Sequence, residues 1–230
     1  MKYILKNSTP EAWEKLIKTC KYFFSKNPVF PVGRLYSDDD GKWNGDRRVI
    51  NTNQPIAKLW LHKSLDVESP ATISSLIPKL SKCSVQSLII GGQNLTWEEY
   101  QFLTVSGLVT YLDIFDFTVK YSDGKIVTFD KLLENLKNVE NLTVDSVDPT
   151  MFKRDTVKNM VNILQNLKKL DSFELLELSE TFDISSFTDF LLENQAVKVY
   201  LDFRDLRLRL RKMKSSEIDK CCQKIIKKST

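Results

Sequence analysis

FDKLLENLKNVENLTVDS, residues 129–146, changes periodicity halfway along. Phe129, Leu132, Leu133 and Leu136 stand at the i, i+3, i+4, i+7 positions of an amphipathic helix; Val139, Leu142 and Val144 then take over with the spacing of a short strand. A helix therefore hands over to a strand within a few residues. The same handover recurs downstream, where Val157, Met160, Val161, Leu164 and Leu167 form a helical stripe ahead of LDSFELLEL. Marking each expected strand start gives Ile56, Val85, Val109, Val139, Leu170 and Val197, spaced by 24 to 31 residues. That period belongs to strand-plus-helix units such as leucine-rich repeats. The expected fold class is α/β, a solenoid of irregular leucine-rich-like strand-helix repeats over residues 56–230.

The 230 residues are 42% hydrophobic, enough for a sizeable core, and carry only 7 Gly and 7 Pro with no Gly/Ser-rich linker. No apolar run reaches the ~20 residues needed to span a bilayer. Lys6, Asn7 and Glu11 break up the apolar N-terminal patch before a signal-peptide core could form, so a cytoplasmic or nuclear location is expected. Cys20, Cys83, Cys221 and Cys222 include no C-x-x-C pair and His62 is the single histidine, so neither a zinc site nor any other cofactor is expected, and the thiols read as reduced and mostly buried. The formal charge of +4 is uneven. Residues 204–230 hold ten basic and three acidic side chains, a net +7, leaving −3 for the rest.

Near the N-terminus, Tyr3, Ile4 and Leu5 form a small apolar cluster, Ser8 or Thr9 can cap a helix with Pro10 at its first position, and Trp13, Leu16, Ile17, Cys20, Phe23 and Phe24 fall on one helical stripe that Asn27-Pro28 ends. The segment YILKNSTPEAWEKLIKTCKYFFSKNPVF resembles the N-terminus of the F-box proteins expanded in nematodes. The WLH strand, the SSLIPKLSKC stretch, the SDGKIVTFDKLLENL turn and helix, and FDISSFTDFLLEN are similar to that family further along. The resemblance implies a non-catalytic substrate receptor of a cullin-RING ubiquitin ligase. Tyr3, Ile4, Leu5, Leu16, Ile17, Cys20 and Phe23 would then meet a Skp-type adaptor, while the repeats bind an unknown target. The family's opening Leu-Pro pair has no counterpart here, so residues 1–33 read as a truncated F-box-like segment. A helical cap that binds no adaptor is the alternative.

Residues 34–55 read as a polar connection. Asp38, Asp39, Asp40 and Gly41 lack the alternating ligands of a calcium loop, and Arg47 stands where its closing Glu would be. Gly91-Gly92 fits no phosphate-binding pattern and reads as a strand end. Residues 70–80 read as a helix, and residues 109–121 and 125–129 as strands joined across Ser122-Asp123-Gly124. Phe115 and Phe117 are placed on one face of a strand buried on both sides. No nucleophile or carboxylate is placed beside His62 by any motif, so no catalytic residue is expected and the chain reads as a non-enzyme.

Target contacts are assigned to the concave strand face, with Trp60, Phe115, Phe117 and Tyr200 as its candidates. LRLRLRKMK places Arg207, Arg209 and Arg211 on alternate positions of an expected edge strand, followed by an amphipathic helix through Ile218, Cys221, Cys222, Ile225 and Ile226. The arginine row could track a nucleic-acid backbone, which makes a basic nucleic-acid-associated scaffold the rival reading. No aromatic rings interleave with it as single-strand binders require, so a nucleic-acid partner is disfavoured, as is a membrane.

Overall fold

The computed structural model describes residues 7–46, 48–50, 57–146, 148–153, 155–179, 182–194, 196–203 and 206–210. It is a mixed α/β structure built on a mostly parallel sheet. Two helices open it, α1 (Pro10–Thr19) and α2 (Lys21–Lys26), followed by strands β1 (Val29–Ser37), β2 (Trp43–Gly45), β3 (Arg48–Ile50) and β4 (Lys58–Val67). Helix α3 (Ile73–Leu76) and a 3-10 turn lead to β5 (Leu80–Cys83) and β6 (Ser87–Thr96). Then α4 (Trp97–Thr104), β7 (Tyr111–Lys120), α5 (Phe129–Leu133), β8 (Asn141–Asp145), α6 (Thr156–Leu164), β9 (Ser172–Leu178), α7 (Ile184–Glu193) and β10 (Lys198–Phe203) alternate, and β11 (Leu206–Leu210) closes the order. The strands lie β11-β10-β9-β8-β7-β6-β4-β1-β2-β3, with β5 beside β4.

From β4 to β10 each strand pairs in parallel with its successor in this row. The crossovers put helices on one face. Leu88, Ile90, Leu112, Ile114, Leu142, Val144, Phe173 and Leu175 point to that side and share one core with Tyr100, Leu103, Leu132, Met160, Leu164 and Phe187. Helix α5 packs on α6, and α6 on α7, so the layer is continuous. Buried polar groups tie it down. The Tyr100 hydroxyl donates to the Leu132 carbonyl at 2.8 Å, and the Gln93 amide donates to the Ala71 carbonyl at 2.8 Å while accepting from the Ile73 N–H at 3.1 Å. Thr96 and Glu99 form the expected capping box at the start of α4.

Two backbone features repeat along the chain. The carbonyls of Gln86, Thr110 and Glu140 each accept two N–H groups from the start of the next strand, donated by Thr110 and Tyr111, by Glu140 and Asn141, and by Asp171 and Ser172. Further along the strands, Gly92, Asp116, Ser146 and Glu177 all have positive φ, between 48° and 62°. Gly92 to Asp116 is 24 residues, Asp116 to Ser146 is 30 and Ser146 to Glu177 is 31, the same intervals that separate Gln86, Thr110, Glu140 and Asp171. In β6, β7 and β9 the left-handed residue inserts one position into the in-out alternation, so burial in β7 runs Leu112, Ile114 and then Phe117, Val119.

Several expectations change here. The stretch read as a polar connection carries half of β1, then β2 and β3; Gly33 makes a bulge in β1, and the Asp46 carboxylate accepts from the Gly33 and Arg34 N–H groups at 2.7 and 3.0 Å. Residues 38–41 form the hairpin turn that joins β1 to β2, with Asp38 accepting from the Lys42 N–H at 2.8 Å. The helix expected over residues 70–80 stops at Leu76, since Pro78 lacks an N–H to continue it, and Leu80 pairs as a strand. Strand β6 passes through Gly91 and Gly92 to Thr96 instead of ending there. Residues 125–129 form no strand; the Asp-Gly turn is present, but pairing is one bridge, Lys120 with Ile126, before α5 begins. Strand β7 is buried on one face only.

Candidate functional site

Among the described residues, no helix lies on the second face of the sheet from β6 to β10. At its β1 end, α1 lies across it. Thr9 caps α1 by accepting from the Ala12 N–H, Pro10 occupies the first turn, and the Trp13 indole N–H donates to the Val29 carbonyl at 2.9 Å. Trp13, Ile17, Val29 and Trp60 form a small buried cluster separate from the main core, with Leu16, Phe23 and Phe24 packed at its margin. Helical residues break at Cys20, whose extended backbone splits the expected single stripe into α1 and α2.

Beyond α1 the open face is organised in rows across the strands. One row runs Tyr36, Asp66, Ile89, Asp113, Thr143, Glu174, Tyr200 by direct register pairing, and Tyr200 pairs with Arg209 of β11. The row toward the strand starts runs Arg34, Ser64, Ser87, Tyr111, Asn141, Ser172, Lys198. On the other side lie Gly91, Phe115 and Asp145. A Cβ on Gly91 would fall 2.1 Å from the Phe115 ring, so glycine is what lets that ring approach β6.

Carboxylates dominate this face. Asp66, Asp113 and Glu174 occupy every second strand of one row, Asp145 sits diagonally, and Asp116 and Glu177 follow at the left-handed positions. Strands β6 to β9 contain one basic residue, Lys120, at the far end of β7. Burial raises the Asp66 pKa. Burial also raises that of Asp113, reinforced by Asp145, Glu174 and Asp66 and opposed by the Tyr111 hydroxyl, which donates to Asp113 Oδ2 at 3.4 Å. The surface attracts positive charge.

Hollows indent it. A groove of about 700 Å³ beside α1 is lined by Glu11, Arg34, Tyr36, His62, Ser64, Asp66 and Ser87. A second, of about 590 Å³, follows the left-handed row past Asn94, Asp116, Thr118, Ser146, Asp148 and Glu177. In the first, His62 Nδ1 lies 3.7 Å from Glu11, and burial lowers its pKa against the pull of that carboxylate. No group of three or more His, Cys, Asp or Glu side chains is arranged to hold a metal ion among the described residues.

The residues singled out from sequence divide. Phe115 and Tyr200 stand on the open face, half-buried. Trp60 is buried under α1, its indole N–H donating to Ser84 Oγ at 3.0 Å with the Lys82 ammonium 4.2 Å over the ring. Phe117 is turned into the helix-side core by Asp116 and meets Tyr100 at 6.2 Å, so the two phenylalanines do not share a face. Of the expected adaptor contacts, Ile17 is buried inward, Leu16 and Phe23 are half-buried, and Cys20 is exposed. Cys83 is buried, which pushes its thiol up to about 11.

Arg207 and Arg209 occupy the edge strand as expected, opposite Asp202 and Tyr200 in register. Tyr3, Ile4, Leu5, Arg211 and the C-terminal amphipathic segment lie outside the described residues. The acidic row itself was missed in sequence. Its signal was present, since Asp113, Asp145 and Glu174 alternate with Leu112, Ile114, Val144, Phe173 and Leu175, but only strand register aligns them. No helix among the described residues is long and apolar enough to cross a membrane. Comparison with protein-family models, with curated proteins and with solved structures finds no match for the chain.

Proposed function

We propose that the chain is a non-catalytic protein-binding scaffold, a solenoid of leucine-rich-like strand-helix units that offers its uncovered sheet face to a partner. The observation that carries this reading is the one-sidedness of the sheet among the described residues. Helices bury one face from β4 to β10, whereas parallel strands are ordinarily covered on both. The matched intervals of the double N–H acceptors and of the left-handed residues support a repeated unit. His62, engaged with Glu11, is assigned no catalytic role.

The F-box-like resemblance extends this to a substrate receptor of a cullin-RING ligase, in which α1 and α2 face a Skp-family adaptor and the repeats raise the local concentration of a target. Exposed Cys20 and Tyr22, beside the half-buried Phe23 and Phe24, are the adaptor contacts in this reading. A cap without adaptor binding is the second reading, favoured by the commitment of Trp13 and Ile17 to the sheet. Co-purification with a Skp-family adaptor separates the two. A complex with the wild type that Cys20→Asp, Tyr22→Asp abolishes, at unchanged melting temperature, is expected for the receptor. No wild-type complex removes the ligase role and leaves the scaffold.

A further inference from the structure

The open face has a local charge bias that the whole chain lacks. Lysine and arginine outnumber aspartate and glutamate overall, 34 to 30, yet β6 to β9 carry Asp113, Asp116, Asp145, Glu174 and Glu177 against one lysine. None of these five carboxylates belongs to the helix-side core. In the main row Asp66, Asp113 and Glu174 alternate with Ile89 and Thr143, so no two carboxylates sit directly opposite, where like charges are destabilising. Adjacent strands are about 4.8 Å apart, which sets each of the three carboxylate positions about 9.6 Å from the next in a line across the strands. Tyr36, 46% exposed, and Tyr200 bracket the line. Aromatic faces and carboxylates together are the chemistry that receives arginine and lysine.

We propose that this face binds a basic, extended segment of a partner protein, running across the strands with an arginine or lysine at every third residue seated on Asp66, Asp113 and Glu174. The inference rests on the protein-binding reading above. The repeat follows from geometry. Polyproline II rises about 3.1 Å per residue, so three residues cover about 9.3 Å, close to two strand spacings. A nucleic acid is refused by the same carboxylates.

The test is fluorescence anisotropy of the full chain with a labelled twelve-residue peptide repeating arginine-proline-proline. Its controls are a peptide of identical composition with the arginines clustered at one end, and the repeat with glutamate in place of arginine. Binding of the repeat, weaker for the clustered peptide, absent for the glutamate peptide and reduced by salt, is expected. The Asp113→Asn, Glu174→Gln double variant, near-isosteric and checked by thermal melting, should bind about tenfold more weakly, the effect of two half-exposed ion pairs. Equal binding by the variant, equal binding of the clustered peptide, or no binding at low salt overturns the proposal. Self-association of the free chain that the double variant abolishes, with no peptide bound, also overturns it and names the basic terminus of a second copy as the occupant. Adaptor complex formation with no peptide bound refutes this inference while leaving the scaffold reading intact.

Discussion

The two faces of one sheet are built from alternate residues of the same strands and obey opposite rules. On the helix side, Leu112, Ile114, Leu142, Val144, Phe173 and Leu175 are at most 1% exposed, and phenylalanines continue the packing outward, with Phe152 meeting Phe129 at 5.3 Å and Phe182 at 5.4 Å. On the open side, Asp66 and Asp113 are held at a site that disfavours their charge. Stability resides in one face, and the other is free to carry chemistry that stability alone would not select. Where α1 crosses to the open side it brings a private core of four residues, which makes the N-terminal layer a guest on the sheet.

The sharpest contrast comes from truncating each side's aromatics. Phe187→Ala, in the main core, is expected to cost about 3–5 kcal/mol, read as a fall in urea midpoint for the whole chain. Trp13→Ala removes the anchor of α1 and its bond to Val29, and is expected to release residues 10–26 to proteolysis and hydrogen exchange while β6 to β10 stay protected. Global unfolding of that variant would show that the two cores are one. Gln93→Leu strands the Ile73 N–H and the Ala71 carbonyl, and should cost about 1–3 kcal/mol by thermal melting.

Two smaller effects run the other way. Asp116→Gly relieves a left-handed backbone and should stabilise by about 1 kcal/mol. Asp113→Asn should stabilise by less than about 1 kcal/mol at neutral pH. The sign follows from the raised folded pKa, which makes the native state bind the proton more tightly than the unfolded chain. Its contribution is complete below the ordinary value of 3.8 and is lost as pH rises through the folded value, so the variant's advantage should vanish in acid. A destabilised Asn variant at neutral pH would mean that Asp113 makes a structural contact.

Six strands were legible because apolar alternation and the returning helical stripe repeat with a narrow period. Strand β1 was not, since Pro31 and the bulge at Gly33 break its alternation, and β5 was hidden because Leu80 also continues the helical stripe of Ile73 and Leu76. Phe117 was misassigned because nothing in IFDF declares a left-handed aspartate. For the open face, parity was readable residue by residue. Register was not, because it depends on the double N–H acceptors at Gln86, Thr110 and Glu140, which are backbone atoms without a side-chain signature.

Strand order bears on how the chain is made. From β6 to β11, position in the sheet is position in the sequence, so each strand pairs with the one synthesised before it. Among the described strands every closure spans a few tens of residues and none waits for a distant partner, which keeps contacts local for a sheet protein. The growing sheet can therefore be templated on its own last strand as synthesis proceeds, and β11 departs from the parallel series by turning antiparallel on β10.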